Sequence, residues 1–257
     1  MCELFGVSSP EKIELNEMLR TFFSHGTEHP HGWGMAFFYG NGVSVEKEPV
    51  ASFKSEYLKH RLRYRIEADQ MLAHIRLATR GSMDYENTHP FVMRDCDGRA
   101  WTLIHNGTIF ECDVLRKYVH KQEGKTDSER ILLYLVDRMN QARREKGNSL
   151  SLKERFSVAD EVLCEITPEN KINLLLFDGE LLYAHTNFKN SLHICRKGKA
   201  EIISTEPLDF DSWEDLPLNQ LLAFKEGELA FRGTNHGNEF FATEEKMRLL
   251  FLDFAGL

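Results

Sequence analysis

"TDSERILLYLVDRMNQARREKG", residues 126–147, reads as the clearest helix in the chain, and the fold class follows from what surrounds it. Thr126 and Glu129 stand at capping-box spacing, Ile131, Leu132, Leu135, Val136 and Met139 repeat at the interval of one apolar face, and Gly147 can close the last turn. A second helix is predicted over about 151–166. After this pair, "INLLLFDGELLYAHT" (172–186) and "LHICRKGKAEIISTEPL" (192–208) read as hairpins turning at Asp178-Gly179 and Lys197-Gly198. Before it, "GWGMAFFYGNGVSVEKEP" (32–49) reads as a hairpin turning at Asn41-Gly42. "MLAHIRLA" (71–78) and "AWTLIHNG" (100–107) read as buried strands ending in polar residues. Shorter helices are predicted from Pro10 to Ser24, on Ile13, Met18, Leu19, Phe22 and Phe23, and over 56–68, on Leu58, Leu62 and Ile66. Strands, then helices, then strands predict an α+β domain on antiparallel sheets. No linker, repeat or low-complexity segment divides it, so residues 1–257 are expected to form one domain. Residues 233–257, with the apolar run "KMRLLFLDF", form a tail that can pack as a helix or mediate an interface.

Composition narrows the function. At 42% hydrophobic and 28% charged residues, the chain has the make-up of an ordinary globular protein, and a formal net charge of -8 argues against nucleic acid or an anionic membrane as partner. A small molecule or another protein is expected instead. No apolar run approaches the ~18 residues of a spanning helix, and the first residues lack a secretory signal, so the cytoplasm is expected. Five scattered cysteines without a Cys-x-x-Cys pair read as reduced thiols. Cys2 has two readings: a small buried hydrophobe near the terminus, or a nucleophile. Once Met1 is removed its own α-amine, titrating near ~7.7 to 8.0, can serve as base to the thiol.

Five further stretches bear on that choice: "HGWGMAFF" (31–38), "HIRLAT" (74–79), "NTHPF" (87–91), "HNGTI" (105–109) and "TDSE" (126–129). In this order and spacing they resemble the glutaminase domain of class II glutamine amidotransferases, which are N-terminal nucleophile hydrolases. "ISTEPL" (203–208), Trp213 and "LPLNQLLAF" (216–224) are similar to the stand-alone YafJ-type branch, which includes γ-glutamyl hydrolases of ergothioneine synthesis and glutathione breakdown. The resemblance implies a four-layer αββα sandwich with two stacked antiparallel sheets and no cofactor. It implies Cys2, Asn106 and Gly107 as catalytic residues, with Arg76, Thr79, Asp127, Trp33 and Gly34 binding substrate.

Each role has a chemical reason. A carbonyl attacked by thiolate develops an oxyanion, for which Asn106 and Gly107 can supply a side-chain and a backbone N–H. Glutamine carries an α-carboxylate and an α-ammonium, which Arg76 and Asp127 can meet. Each also has a plainer reading: Asn106-Gly107 as a turn, Arg76 as a strand-end ion pair, Asp127 as a first-turn acid. The histidines His74, His89 and His105 are expected to satisfy internal hydrogen bonds, and the run His25, His29, His31 lacks acidic or cysteine ligands at metal spacing, so no metal is expected. The chain departs from sugar-phosphate amidotransferases at Leu77 and Arg80, and from the YafJ-type branch at His31, where an Asp commonly precedes Gly-Trp-Gly. These positions bear on the pocket mouth and on what lies beyond the γ-glutamyl group.

The expected reaction is hydrolysis of the γ-amide of glutamine or a γ-glutamyl compound through a Cys2 thioester, releasing glutamate and ammonia or an amine. The motifs leave no room for a synthase domain, so either a separate ammonia-accepting synthase subunit or outright hydrolysis is expected. With Met1 retained, the alternative is a non-catalytic glutamine-binding or scaffold module.

Overall fold

The computed structural model describes residues 2–40, 42–78, 82–244 and 246. From the N-terminus run β1 (Glu3–Glu14), α1 (Asn16–Ser24), β2 (Trp33–Tyr39), β3 (Gly42–Glu48), α2 (Glu56–Arg61) and β4 (Glu67–Ile75). Then come β5 (Phe91–Arg94), β6 (Ala100–Thr108), α3 (Asp113–Arg116), α4 (Asp127–Lys146), α5 (Leu152–Ile166), β7 (Lys171–Phe177) and β8 (Leu182–His185). The last strands are β9 (His193–Lys197), β10 (Ala200–Ser204), β11 (Glu214–Asp215), β12 (Leu222–Lys225) and β13 (Glu228–Arg232).

They form two antiparallel sheets, ordered β11-β9-β10-β1-β4-β2-β3 and β13-β12-β8-β7-β6-β5. Strand alternation sorts the side chains into three apolar layers. Leu4, Ala36 and Leu72 of the first sheet meet Ile104, Leu175 and Phe177 of the second between the sheets. The intervening residues Phe5, Val7, Met35 and Met71 turn outward onto Leu19 and Phe22 of α1 and Leu58 of α2. Leu103, Ile172, Leu174 and Leu176 turn outward onto α4 and α5. This is the four-layer αββα sandwich that the motifs imply, and each fully buried Leu or Phe in it stabilises by about 1.5–3 kcal/mol.

Local differences from the sequence reading have physical causes. The predicted helix from Pro10 starts only at Asn16, because β1 continues through Pro10 past an irregularity between Ser8 and Ile13 and re-pairs Ile13 with Ala68. Helix α2 ends at Arg61, since Ile66 is drawn into the outer core and β4 begins at Glu67. Tyr39 pairs with Gly42, so Gly42 is a strand residue and Gly40, at φ 55°, is a turn residue; Asn41 lies outside the described residues. Helix α4 takes the Thr126 cap, but Glu129 accepts from the N–H groups of Glu123 and Gly124 rather than closing a reciprocal box. The reciprocal capping box belongs to Ser151 and Glu154 at α5. In the tail, residues 233–243 hold no helix, Glu244 and Lys246 are helical, and residues 245 and 247–257 lie outside the described residues.

Candidate active site

Cys2 precedes β1, an interior strand that pairs with β4 on one side and β10 on the other. Leu4 faces the space between the sheets, so the period-two rule sends Cys2 the same way. Its Sγ donates to the Leu77 carbonyl at 3.4 Å and accepts the Leu77 N–H at 3.4 Å. Burial pushes the Cys2 thiol up, while the Leu77 N–H and the positive charges of Arg76 and Lys171 draw it back.

On the opposite sheet Asn106 shares the inward parity of Ile104, and Cys2 and Asn106 line the same open cleft of about 530 Å³. Gly107 follows where no side chain fits: a Cβ there would lie 2.0 Å from the Lys171 carbonyl oxygen and 2.3 Å from His105 Nε2. That close approach is a reason for glycine independent of any turn.

Arg76 continues β4 and is fixed by its backbone, donating to Gly32 O at 2.8 Å and accepting from His31 N at 3.0 Å. Its buried guanidinium donates to Ser82 O at 2.9 Å. Burial lowers the pKa of Arg76, and the charges of Cys2, Asp84 and Asp127 raise it again. Thiol, guanidinium and Asp127 carboxylate therefore share one electrostatic neighbourhood. Asp127 opens α4 behind the Thr126 cap, and its Oδ2 accepts the Ile109 N–H at 2.8 Å, tying the helix start to the segment just after β6.

Trp33 is a correction. Its indole is fully buried in the outer core, edge-on to Phe23 at 5.8 Å and stacked on Tyr57 at 6.2 Å, with Nε1 donating to Glu48 Oε2. It sits one residue out of phase with Gly34 and so faces α1 rather than the cleft. Gly34 lies against the "NTHPF" segment, where a Cβ would be 2.1 Å from His89 O; it serves close packing. Thr79 lies outside the described residues. His31 Nδ1 accepts the Ala78 N–H at 2.9 Å, and burial and the Arg76 charge push its pKa down, so the neutral ring pins the segment after Arg76.

The other histidines divide. His105 Nδ1 lies 3.0 Å from Ser128 Oγ and His74 Nε2 lies 3.3 Å from His105 O. His89 stacks on His74 at 4.0 Å with neither ring nitrogen hydrogen-bonded among the described residues, so the expectation of internal partners fails for it there. His25 Nδ1 bonds Glu3 Oε2 at 2.7 Å. Among the described residues no three His, Cys, Asp or Glu side chains are grouped to hold a metal ion.

Sequence reasoning missed Lys171 and Asn173, which head β7, and the lip formed by Phe188, Asn190 and Ser191. Asn173 Nδ2 donates to Ser191 Oγ at 2.9 Å and its Oδ1 accepts from Thr186 Oγ1 at 2.8 Å, which fixes the lip beside Asn106. The available signal was polarity: a Lys and an Asn two apart in a strand otherwise made of buried apolar residues.

A family model described as "Glutamine amidotransferases class-II" matches residues 1–199. The chain belongs to the class II glutamine amidotransferases. The Escherichia coli K12 protein YafJ, provisionally named a glutamine amidotransferase, is 33% identical over 82% of this chain and 84% of its own length. A more distant relative, the γ-glutamyl-hercynylcysteine sulfoxide hydrolase of Mycolicibacterium smegmatis, is 27% identical over 80% of this chain and 82% of its own. A crystal structure from Pseudomonas aeruginosa, assigned by prediction as a glutamine amidotransferase, superposes with a TM-score of 0.65 at 23% identity, covering 90% of this chain and all of the other. For this amidotransferase, that likeness supports the sandwich itself. No helix among its described residues is long and apolar enough to cross a membrane.

Proposed function

We propose that this protein is a cytoplasmic γ-glutamyl amide hydrolase, working as one domain over residues 1–257, with Cys2 as an N-terminal nucleophile exposed by removal of Met1. The observation that carries the reading is the shared cleft: Cys2 from one sheet and Asn106 from the other line it together. The thiolate adds to the γ-carbonyl carbon, forming a C–S bond and an oxyanion held by Asn106 Nδ2 and the Gly107 N–H. The α-ammonium of Cys2 passes a proton to the departing nitrogen as the C–N bond breaks. The α-amine then takes a proton from water, whose oxygen displaces sulfur and releases glutamate. Arg76 meets the substrate α-carboxylate and Asp127 its α-ammonium.

The size of the cleft favours a leaving group larger than ammonia. It runs on from Cys2 past His25, Glu28, Phe188 and Pro207, and the Mycolicibacterium relative is named for a γ-glutamyl conjugate. A separate synthase subunit receiving ammonia is the second reading, supported by the amidotransferase family itself.

The test is an intact mass before and after incubation with 6-diazo-5-oxo-L-norleucine. The expected result is loss of Met1 and one adduct mapped to Cys2, with a Cys2→Ala protein losing about 10⁴-fold or more in turnover. Full activity in Cys2→Ala overturns the mechanism, and retained Met1 without an adduct in protein from its native cells points to the binding or scaffold module. Release of glutamate from γ-glutamyl peptides with poor use of glutamine separates the hydrolase from the synthase-coupled form.

A further inference from the structure

Lys171 opens β7 directly opposite Thr108, two positions along β6 from Asn106. Alternation along β7 sends Ile172, Leu174 and Leu176 to the helix-side core and Leu175 and Phe177 between the sheets. Lys171 has the parity of Leu175 and Phe177, so it enters the inter-sheet space from the second sheet at the end where Cys2 enters from the first. It is only 4% exposed, which is rare for a lysine. Its Nζ lies 4.5 Å from the ring centroid of Phe188, an aromatic that lines the Cys2 cleft. Phe240 braces that ring edge-on at 5.9 Å, and the Phe240 N–H is held by Asn187 O at 2.7 Å.

A buried ammonium is stable only beside compensating charge. Burial pushes Lys171 down to about 8, and the charge of a Cys2 thiolate draws it back up. The effect is mutual, since Lys171 is among the positive groups that favour ionisation of Cys2.

We propose that Lys171 is a positioning residue for the reaction: its ammonium, seated on the Phe188 ring in the inter-sheet space that Cys2 enters, favours ionisation of the Cys2 sulfur to the attacking thiolate. This rests on Cys2 being the nucleophile. It gives the first sheet the sulfur and the second sheet both the charge that activates it and the donors that receive its oxyanion. Two further positive charges act on the sulfur: the amino terminus, which serves as the proton carrier, and Arg76, which is bonded to Ser82 O and assigned to the substrate carboxylate, so Lys171 adds a charge with neither task.

The experiment measures the pH dependence of Cys2 alkylation by iodoacetamide, followed by peptide mass, in the processed full-length protein and in Lys171→Met, Lys171→Arg and Phe188→Leu. Opposite charges at close range typically shift a pKa by about one unit or more. Lys171→Met is therefore expected to raise the alkylation midpoint and slow alkylation about tenfold at neutral pH, with kcat falling and KM little changed. Lys171→Arg restores most of the loss, and Phe188→Leu gives a smaller change, about two- to fivefold, in the same direction. A folded Lys171→Met protein with the wild-type midpoint overturns the proposal. Should Lys171→Met fold poorly, an unmoved midpoint in Phe188→Leu overturns it instead. Failure of the underlying reading is a separate observation, namely activity surviving in Cys2→Ala.

Discussion

The two ends of the inter-sheet space are built from similar residue types and put to opposite uses. At the end away from Cys2, a cavity of about 210 Å³ is lined by the turns after β2, β5 and β7, together with Arg99, Arg143 and Arg155. There each arginine already meets a carboxylate: Arg155 with Asp178 at 2.7 Å, Arg99 with Glu180 at 3.0 Å, Arg143 with Asp97 at 2.9 Å. At the Cys2 end the cations Arg76 and Lys171 are buried beside a thiol, and Asn106 presents an amide to an open cleft. Ion-paired arginines make a rigid brace at the first end, whereas a thiol and an amide lining an open cleft make a place for a substrate at the second. The smaller, better-enclosed cavity is therefore the structural one.

The contrast can be broken by exchanging losses between the two ends. Arg155→Met removes the cation from Asp178, which is fully buried and otherwise held by neutral donors, Tyr183 Oη at 2.9 Å and the Glu180 and Leu181 N–H groups at 2.9 and 2.8 Å. It is expected to lose about 3–5 kcal/mol in urea unfolding while the specific activity of the folded fraction is unchanged. A loss under about 1 kcal/mol, or a folded variant without activity, would erase the distinction. Asn106→Ala is the mirror experiment: turnover falls about 10²–10³-fold, equivalent to about 2.7–4 kcal/mol in the barrier, with the unfolding midpoint nearly unmoved. Equal loss of stability would make Asn106 part of the brace.

A third experiment sharpens the comparison through pH. Burial pushes His74 and His185 down to about 3 and His89 well below its ordinary range. Unfolded histidine binds its proton near ~6.5, so below that pH the unfolded chain holds more protons than the folded one. Stability is thus fully present above about 6.5 and falls as the pH drops towards 3, each such histidine contributing a slope of up to about 1.4 kcal/mol per pH unit. Urea midpoints between about pH 7 and 5 should show the decline, and His185→Gln should flatten it by one proton's worth. A flat profile would mean these rings are protonated in the fold.

Much of the site is legible in the sequence because its chemistry falls at strand ends and helix starts. Cys2 stands beside a terminus, Asn106-Gly107 ends an apolar strand, and Asp127 opens a capped helix, so each is marked by a change of pattern. Trp33 defeats such reading because it lies within a buried strand, where a one-residue phase decides which layer a side chain enters and both faces are apolar. The segment from Pro10 has the apolar spacing of a helix, yet Ile13 pairs with Ala68, a contact between distant parts of the chain that local periodicity does not encode. Lys171 escapes for a related reason: it opens a strand of the second sheet while Cys2 precedes a strand of the first, and only the stacking of the two sheets gives them one inter-sheet space.

The position of Cys2 next to an interior strand has a practical side. Leu4 is clamped by Thr205, whose Oγ1 accepts the Leu4 N–H at 3.2 Å and whose N–H donates to Leu4 O at 3.0 Å, so the register of β1 is settled two residues from the sulfur. Anything joined to the nitrogen of Cys2 starts at the wall of the cleft and cannot be accommodated by sliding the strand. A group joined to that nitrogen is expected to act as a tethered plug.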